Sequence, residues 1–377
     1  METSADDLAP SGEAAPAAID KTAEAAKHAH GLLAVPIPII DPQIGDGLIP
    51  VGSYFYSPVK GGRPWVTGVA GLYTSKKDWA LGVAQQADLM DGRLRVLGLA
   101  GYGQFYLDFF GTGVAAGATG RSIKLNQNGE GVLASVLYDF IGKGHLYTGL
   151  RYQGVRINTS VATQLSPDIL QTIQPFPGLP PIPPVNLPSK SPVLKTTDSL
   201  LGPAFEYDTR NSEFMPTKGV YIEGHWLVGG HALGSTFDYN KLQLAANGFI
   251  PLDKNTVLAL RAIFCRSSDG APFYDLCLYG TQHDLRGYEG GRYRDHAMEA
   301  AQVEIRRHLF WRIGAVAFGG FGGVAPTVGG LFATKPLPAG GVGLRFQPVK
   351  TIPVNMSVDY AWGVDSHALY LYLRDAF

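Results

Sequence analysis

Side chains able to do covalent chemistry are thinly spread through the 377 residues. No Gly-x-Ser-x-Gly elbow exposes a serine, no Gly-x-x-x-x-Gly-Lys-Ser/Thr loop cradles a phosphate, and no His-Glu-x-x-His pair offers a zinc site. Gly101-Tyr102-Gly103 and Gly111-Thr112-Gly113 lack the rest of a dinucleotide fingerprint. The nine histidines are scattered, and His225 and His308 fall on alternates that a wet interior would satisfy without any ligand. With no nucleophile beside a base, the residues support no enzyme, and no cofactor or metal is expected. A net charge of -1 gives no electrostatic case for nucleic acid. Cys265 and Cys277 are the two cysteines: an oxidising compartment would let them bridge a short loop, and otherwise they are two free thiols.

The elements that would position these residues are strands. Charged residues make up 17% of the chain, below the roughly 25% of soluble domains, and the 48 glycines are nearly double the usual share. No run of 18 or more apolar residues could span a bilayer as a helix. From Leu32 onward, apolar and polar residues alternate between turn signals. Val220, Ile222, Trp226 and Val228 share one face of a strand; Ala301, Val303 and Ile305 oppose Gln302, Glu304 and Arg306 on another. In a membrane barrel the apolar alternates face lipid and the polar ones a wet lumen.

About sixteen strands are predicted, at 33–40, 46–58, 64–74, 78–88, 93–107, 119–139, 144–158, 195–208, 218–230, 235–250, 254–266, 296–309, 313–322, 338–347, 353–363 and 367–377. The odd-numbered connections include the three longest, 159–194, 267–295 and 323–337, whereas the even ones stay short. Long loops at one end and tight turns at the other are the signature of an all-β, antiparallel transmembrane barrel of the outer membrane. Residues 32–377 form that barrel. Residues 1–31 form a separate N-terminal periplasmic segment, either a short helix over Ala14–His30 that could plug the barrel or a disordered leader. The opening residues carry no signal peptide, so the export signal is expected to have been removed. Pro175 to Pro192 reads as a stiff polyproline-like external loop.

Two segments resemble one family. Phe205-Glu206-Tyr207-Asp208-Thr209-Arg210-Asn211, followed by Phe214-Met215-Pro216-Thr217-Lys218-Gly219, is similar to the Asp-x-Arg…Phe-Pro-Thr-x-Gly periplasmic turn of the BamA/TamA superfamily, the bacterial surface-antigen barrels. Leu285-Arg286-Gly287-Tyr288, in the sixth odd connection, resembles the Val-Arg-Gly-Phe/Tyr tetrapeptide of that family's sixth extracellular loop. The resemblance covers about residues 32–377 and implies that this loop folds into the lumen. There Arg286 would meet acidic groups on the wall, with Glu304 its main partner and Arg306 beside it. A buried guanidinium needs such carboxylates, because its desolvation is otherwise costly. The family's Phe-x-Asp-x-Gly pattern falls on Phe318-Gly319-Gly320-Phe321-Gly322, with Gly320 in place of the aspartate. Residues 1–30 are too few for a POTRA domain, so the resemblance is to a barrel-only branch.

Closure of such a barrel pairs its first and last strands. Pro36 and Pro38 remove donors from one edge of the first strand, which predicts a seam short of hydrogen bonds against the last strand, with Leu371 and the terminal Phe377 on it. The alternative is that pairing begins after Pro38. Phe377 also resembles the C-terminal signal read by the barrel-assembly machinery. The expected function is membrane protein or lipid insertion through this seam, with outer-membrane lipids, the assembly machinery and a periplasmic or passenger protein as partners. The rival expectation is a passive diffusion channel or a structural barrel.

Overall fold

A computed structural model describes residues 31–56, 65–161, 193–213, 215–281, 283–348 and 355–377. The expectations for the N-terminal segment and for Pro175–Pro192 lie outside these residues. Eleven strands open the wall in chain order: β1 (Gly31–Asp41), β2 (Gly45–Tyr56), β3 (Trp65–Thr74), β4 (Trp79–Leu89), β5 (Leu94–Phe109), β6 (Ile123–Tyr138), β7 (Leu146–Val161), β8 (Leu194–Asp208), β9 (Gly219–Gly229), β10 (Tyr239–Pro251) and β11 (Thr256–Ser267). A small hairpin follows, β12 (Cys277–Tyr279) with β13 (Tyr293–Asp295). The wall then resumes with β14 (Ala297–Phe310), β15 (Ile313–Ala325), β16 (Leu337–Phe346), β17 (Met356–Gly363) and β18 (Ser366–Leu373). The sixteen wall strands form a closed antiparallel barrel in which β11 pairs directly with β14.

The period-two pattern sets which side chains face which solvent. Leu81, Val83, Leu150, Trp226, Val303, Ile305 and Phe321 are exposed on the outer wall, whereas Arg151, His225, Lys241, Arg261, Gln302, Glu304 and Arg345 are buried inside. The interior is therefore polar and filled, with the loop between β11 and β14 supplying much of the filling. Tyr279, Leu285, Arg286, Tyr288 and Tyr293 of that loop are at most 2% exposed. His308 departs from the expected inward placement: it is exposed, beside the register shift between His308 and Phe310.

The wall is not paired evenly. β5 and β6 pair without a break from Leu94↔Tyr138 to Phe109↔Ile123, and β1 pairs with β2 from Gly31↔Phe55 to Asp41↔Gly45. β1 meets β18 in the single register pair Ile40↔Leu371. In the β1–β2 ladder Pro36 lies opposite Pro50. Neither residue has an N–H, so this must be a non-hydrogen-bonded pair. Pro36 and Pro38 therefore turn their donor-less edge away from β2, toward β18.

One expectation is corrected here. The last strand ends at Leu373, not at Phe377. Arg374 takes a left-handed conformation at φ 87°, and its N–H donates to the Asn355 carbonyl at 2.6 Å. Asp375 is held by arginines of the inner wall, so the last residues turn into the lumen, where Phe377 is 2% exposed. Carboxylate–guanidinium attraction in the interior outweighs further pairing along the sheet edge.

Candidate functional site

The loop between β11 and β14 is tethered at its base. Cys265 of β11 and Cys277 of β12 form a disulfide with their Cα atoms 5.7 Å apart, which resolves the two alternatives in favour of a bridge. Ser267 Oγ donates to the Asp275 carbonyl at 3.1 Å, and Lys241 Nζ pairs with Asp275 at 2.7 Å. Farther along, Arg261 on the wall holds Asp284 at 2.8 Å, two residues before Arg286. Each tether joins a loop residue to an inward-facing alternate of β10 or β11, so the loop enters the lumen instead of leaving it.

Arg286 sits at the centre and is fully buried. One terminal nitrogen donates to Glu304 of β14; the other donates to Asp359 of β17 and to the Tyr372 hydroxyl of β18, the latter at 3.2 Å. Its guanidinium carbon lies 3.5 Å from the centre of the Phe318 ring, a close cation–π stack. Burial by itself favours the neutral form; the charges of Glu304 and Asp359 outweigh it and hold the proton more tightly than in water. Breaking one member of such a buried pair strands the others, which makes this group costly to disturb.

The residues beside Arg286 fix its approach. Gly287 has φ 126°, and a Cβ there would lie 2.9 Å from the backbone of Trp362. The Gly287 N–H donates to the Tyr370 hydroxyl at 3.0 Å, and that hydroxyl donates to the Tyr288 carbonyl at 3.1 Å. Tyr288 donates its own hydroxyl to the Pro338 carbonyl at 2.6 Å. Leu285 packs over Gly320, where a Cβ would come within 2.8 Å of its side chain. The position at which the family pattern carries an aspartate is thus covered by the loop itself. The second carboxylate comes from Asp359, two strands farther on.

A second tier surrounds this centre. Arg345 of β16 binds Asp359 and reaches Asp375 at 2.9 Å. Arg306 donates to Glu304 at 2.6 Å, to Asp375 at 3.4 Å and to the Phe377 carbonyl oxygen at 2.8 Å. Its guanidinium also lies 5.0 Å from the Phe377 ring, and His283 of the loop contacts the Ala376 carbonyl. Arg286, Arg306 and Arg345 thus share Glu304, Asp359 and Asp375, three positive charges against three negative. Sequence reasoning named Arg286, Glu304 and Arg306, and missed Asp359, Arg345, Asp375 and the two tyrosines of β18. The signal for Asp359 was present: it is the one acidic inward alternate of β17, flanked by outward Val358 and Tyr360.

The second motif lies elsewhere, at the β8–β9 turn on the opposite barrel end. Arg210 donates to both Asp208 oxygens at 3.0 and 2.9 Å and lies 4.1 Å from the centre of the Tyr221 ring. Asn211 Oδ1 accepts from the Thr217 and Lys218 N–H groups, both at 3.0 Å, and Pro216 is buried. Gly219, at φ 110°, leaves the turn where a Cβ would strike Arg210. Among the described residues, this cluster makes no contact with Arg286. Among the described residues, no group of three or more His, Cys, Asp or Glu could hold a metal ion.

Residues 74–347 match the Omp85 superfamily domain. No curated protein matches the chain. In fold it is similar to BamA from Haemophilus ducreyi lacking POTRA domains 1–3, at 13% identity and a TM-score of 0.62, over 92% of this chain and 70% of that one. CdiB from Escherichia coli is similar at 10% identity and a TM-score of 0.59, over 94% of this chain and 69% of that one. CdiB from Acinetobacter baumannii gives 10% and 0.57 over 91% of this chain, which spans 59% of that relative's length.

Proposed function

The chain belongs to the Omp85 superfamily, and on that premise we propose that it passes protein segments or lipid into the bacterial outer membrane through the β1–β18 closure. The long loops then face outward, and the short turns and residues 1–31 face the periplasm. What supports this reading is the imbalance at the closure: one register pair joins β1 to β18, while every other wall contact is a ladder. A strand edge with unused donors and acceptors is a template for an incoming strand. Pro36 and Pro38 lower the number of bonds that opening must break. Its partners are outer-membrane lipids, the machinery that assembles the barrel, and a periplasmic or passenger protein.

The test is to close the seam covalently. Cysteines at Ile40 and Leu371, oxidised in purified barrel, should abolish its acceleration of outer-membrane protein folding into proteoliposomes. Each single variant should retain that acceleration. A double variant that stays active when cross-linked would sink the proposal. A passive channel predicts instead a size-dependent solute flux that the cross-link leaves unchanged, and the filled lumen argues against it.

A further inference from the structure

The loop that carries Arg286 also reaches the far side of the closure. The β1–β2 turn there is set in one conformation: the Asp41 carboxylate accepts from the Gln43 and Ile44 N–H groups at 2.7 and 3.0 Å. Lys76 Nζ, from the β3–β4 turn, donates to the Pro42 and Gln43 carbonyls at 2.9 and 2.7 Å, and Ile44 is fully buried. This fixed turn lays the Gln43 side chain along Gly290 of the loop. A Cβ on Gly290 would lie 3.1 Å from Gln43 Cδ and 3.6 Å from Gln43 Cβ, so a bulky residue at 290 would have to displace Gln43.

Three residues earlier, the same segment is fastened to the other edge. The Gly287 carbonyl accepts from Ser366 Oγ of β18, and the Gly287 N–H donates to the Tyr370 hydroxyl. The Val364 N–H, in the β17–β18 turn, donates to the Tyr288 hydroxyl at 3.1 Å. Gly287 to Gly290 thus run from β18 to the β1–β2 turn on the lumenal side. They do so where the sheet itself supplies the single pair Ile40↔Leu371. We propose that this segment is a clasp across the seam: Gln43 against Gly290 holds the β1–β2 hairpin to β18 and must part before the closure opens. Its role in gating rests on the proposed opening of that closure.

Amide exchange at Ile40, whose N–H lies on the same β1 edge as Pro36 and Pro38, reads the clasp. Gly290→Leu should displace Gln43 and raise that exchange about tenfold, with a smaller rise in Gln43→Ala. Exchange along β5 and β6 and the protease resistance of the loop should not change, because Arg286 and the Cys265–Cys277 bridge stay in place. A wild-type rate at Ile40 in both variants would overturn the clasp, as would an equal rise around the whole wall. Should Gly290→Leu not fold, the rate in Gln43→Ala decides. The 3.6 Å between Gln43 Cβ and the Cβ position of Gly290 suits a disulfide. Oxidation of Gln43→Cys/Gly290→Cys should therefore slow exchange at Ile40 and abolish the acceleration of outer-membrane protein folding. If the Ile40–Leu371 cross-link abolishes that acceleration and the oxidised clasp does not, the clasp is overturned. If neither cross-link affects it while exchange at Ile40 still responds, the clasp stands and the proposed function falls.

Discussion

The two edges of the barrel closure are held by different physics. β18 pairs along its whole length with β17, and its inward Tyr370 and Tyr372 bind the backbone of Gly287 and the guanidinium of Arg286. Its continuation is gripped by Arg306 and Arg345. β1 has its ladder with β2 and one register pair with β18. Its outer edge carries two prolines where donors would be. One edge is thus bolted to the loop and the wall, while the other depends on its own hairpin. Charge pairing in the lumen thus adds to the β17 ladder in holding the last strand and its continuation.

Perturbing the bolted edge should produce the largest effects. Arg286→Ala leaves Glu304 and Asp359 buried with less positive charge, and we expect a loss of about 3–5 kcal/mol. The loop should become protease-sensitive, and the temperature at which the barrel loses its compact electrophoretic mobility should fall. Glu304→Ala should also expose the loop to protease; unchanged digestion would count against the pairing. Asp359→Asn should cost roughly 3 kcal/mol, because it weakens both Arg286 and Arg345. A double-mutant cycle between Arg286 and Asp359 that shows no coupling would refute the assignment of Asp359 as the second carboxylate.

Smaller effects refine the contrast. Gly287→Ala forces a side chain into a left-handed position against Trp362 and should cost about 2 kcal/mol, again read from loop proteolysis. Tyr372→Phe removes hydroxyl bonds to Arg286 and Asp359 and should cost about 1 kcal/mol. On the other edge, replacing Pro36 and Pro38 together by valine should change global stability by about 0.5 kcal/mol or less. The same change should slow amide exchange along β1 and lower insertion activity. If the proline replacements destabilised the barrel as much as Arg286→Ala, the two edges would not differ as described.

Much of this was legible from residue order. Period-two alternation placed Glu304 and Arg306 inward and Val303 and Ile305 outward, because a strand gives each successive side chain to the opposite face whatever it packs against. Alternation between turn signals gave the strand count, and loop parity supported it, since antiparallel connections must alternate ends. The motif around Arg286 identified the loop that enters the lumen. The tip hairpin β12–β13 was not foreseen: three-residue strands carry too little periodicity to register. Phe377 was read as the end of a strand because its neighbours alternate through Leu373, and nothing local signals the inward turn at Arg374.

The residues alone therefore determined a barrel and its sixteen strands, because those depend on local periodicity and composition, while the arginine at its centre was implied by the resemblance of Leu285-Arg286-Gly287-Tyr288 to the family's loop motif. Only the tertiary structure decided which carboxylate completes the Arg286 site, since Asp359 lies 73 residues along the chain from Arg286 and meets it across the lumen. It likewise decided that Leu285 fills the space over Gly320, that Cys265 bonds Cys277, and that the chain beyond Leu373 leaves the sheet. These are contests among distant charges and volumes, settled by which groups the closed wall brings within reach of one another.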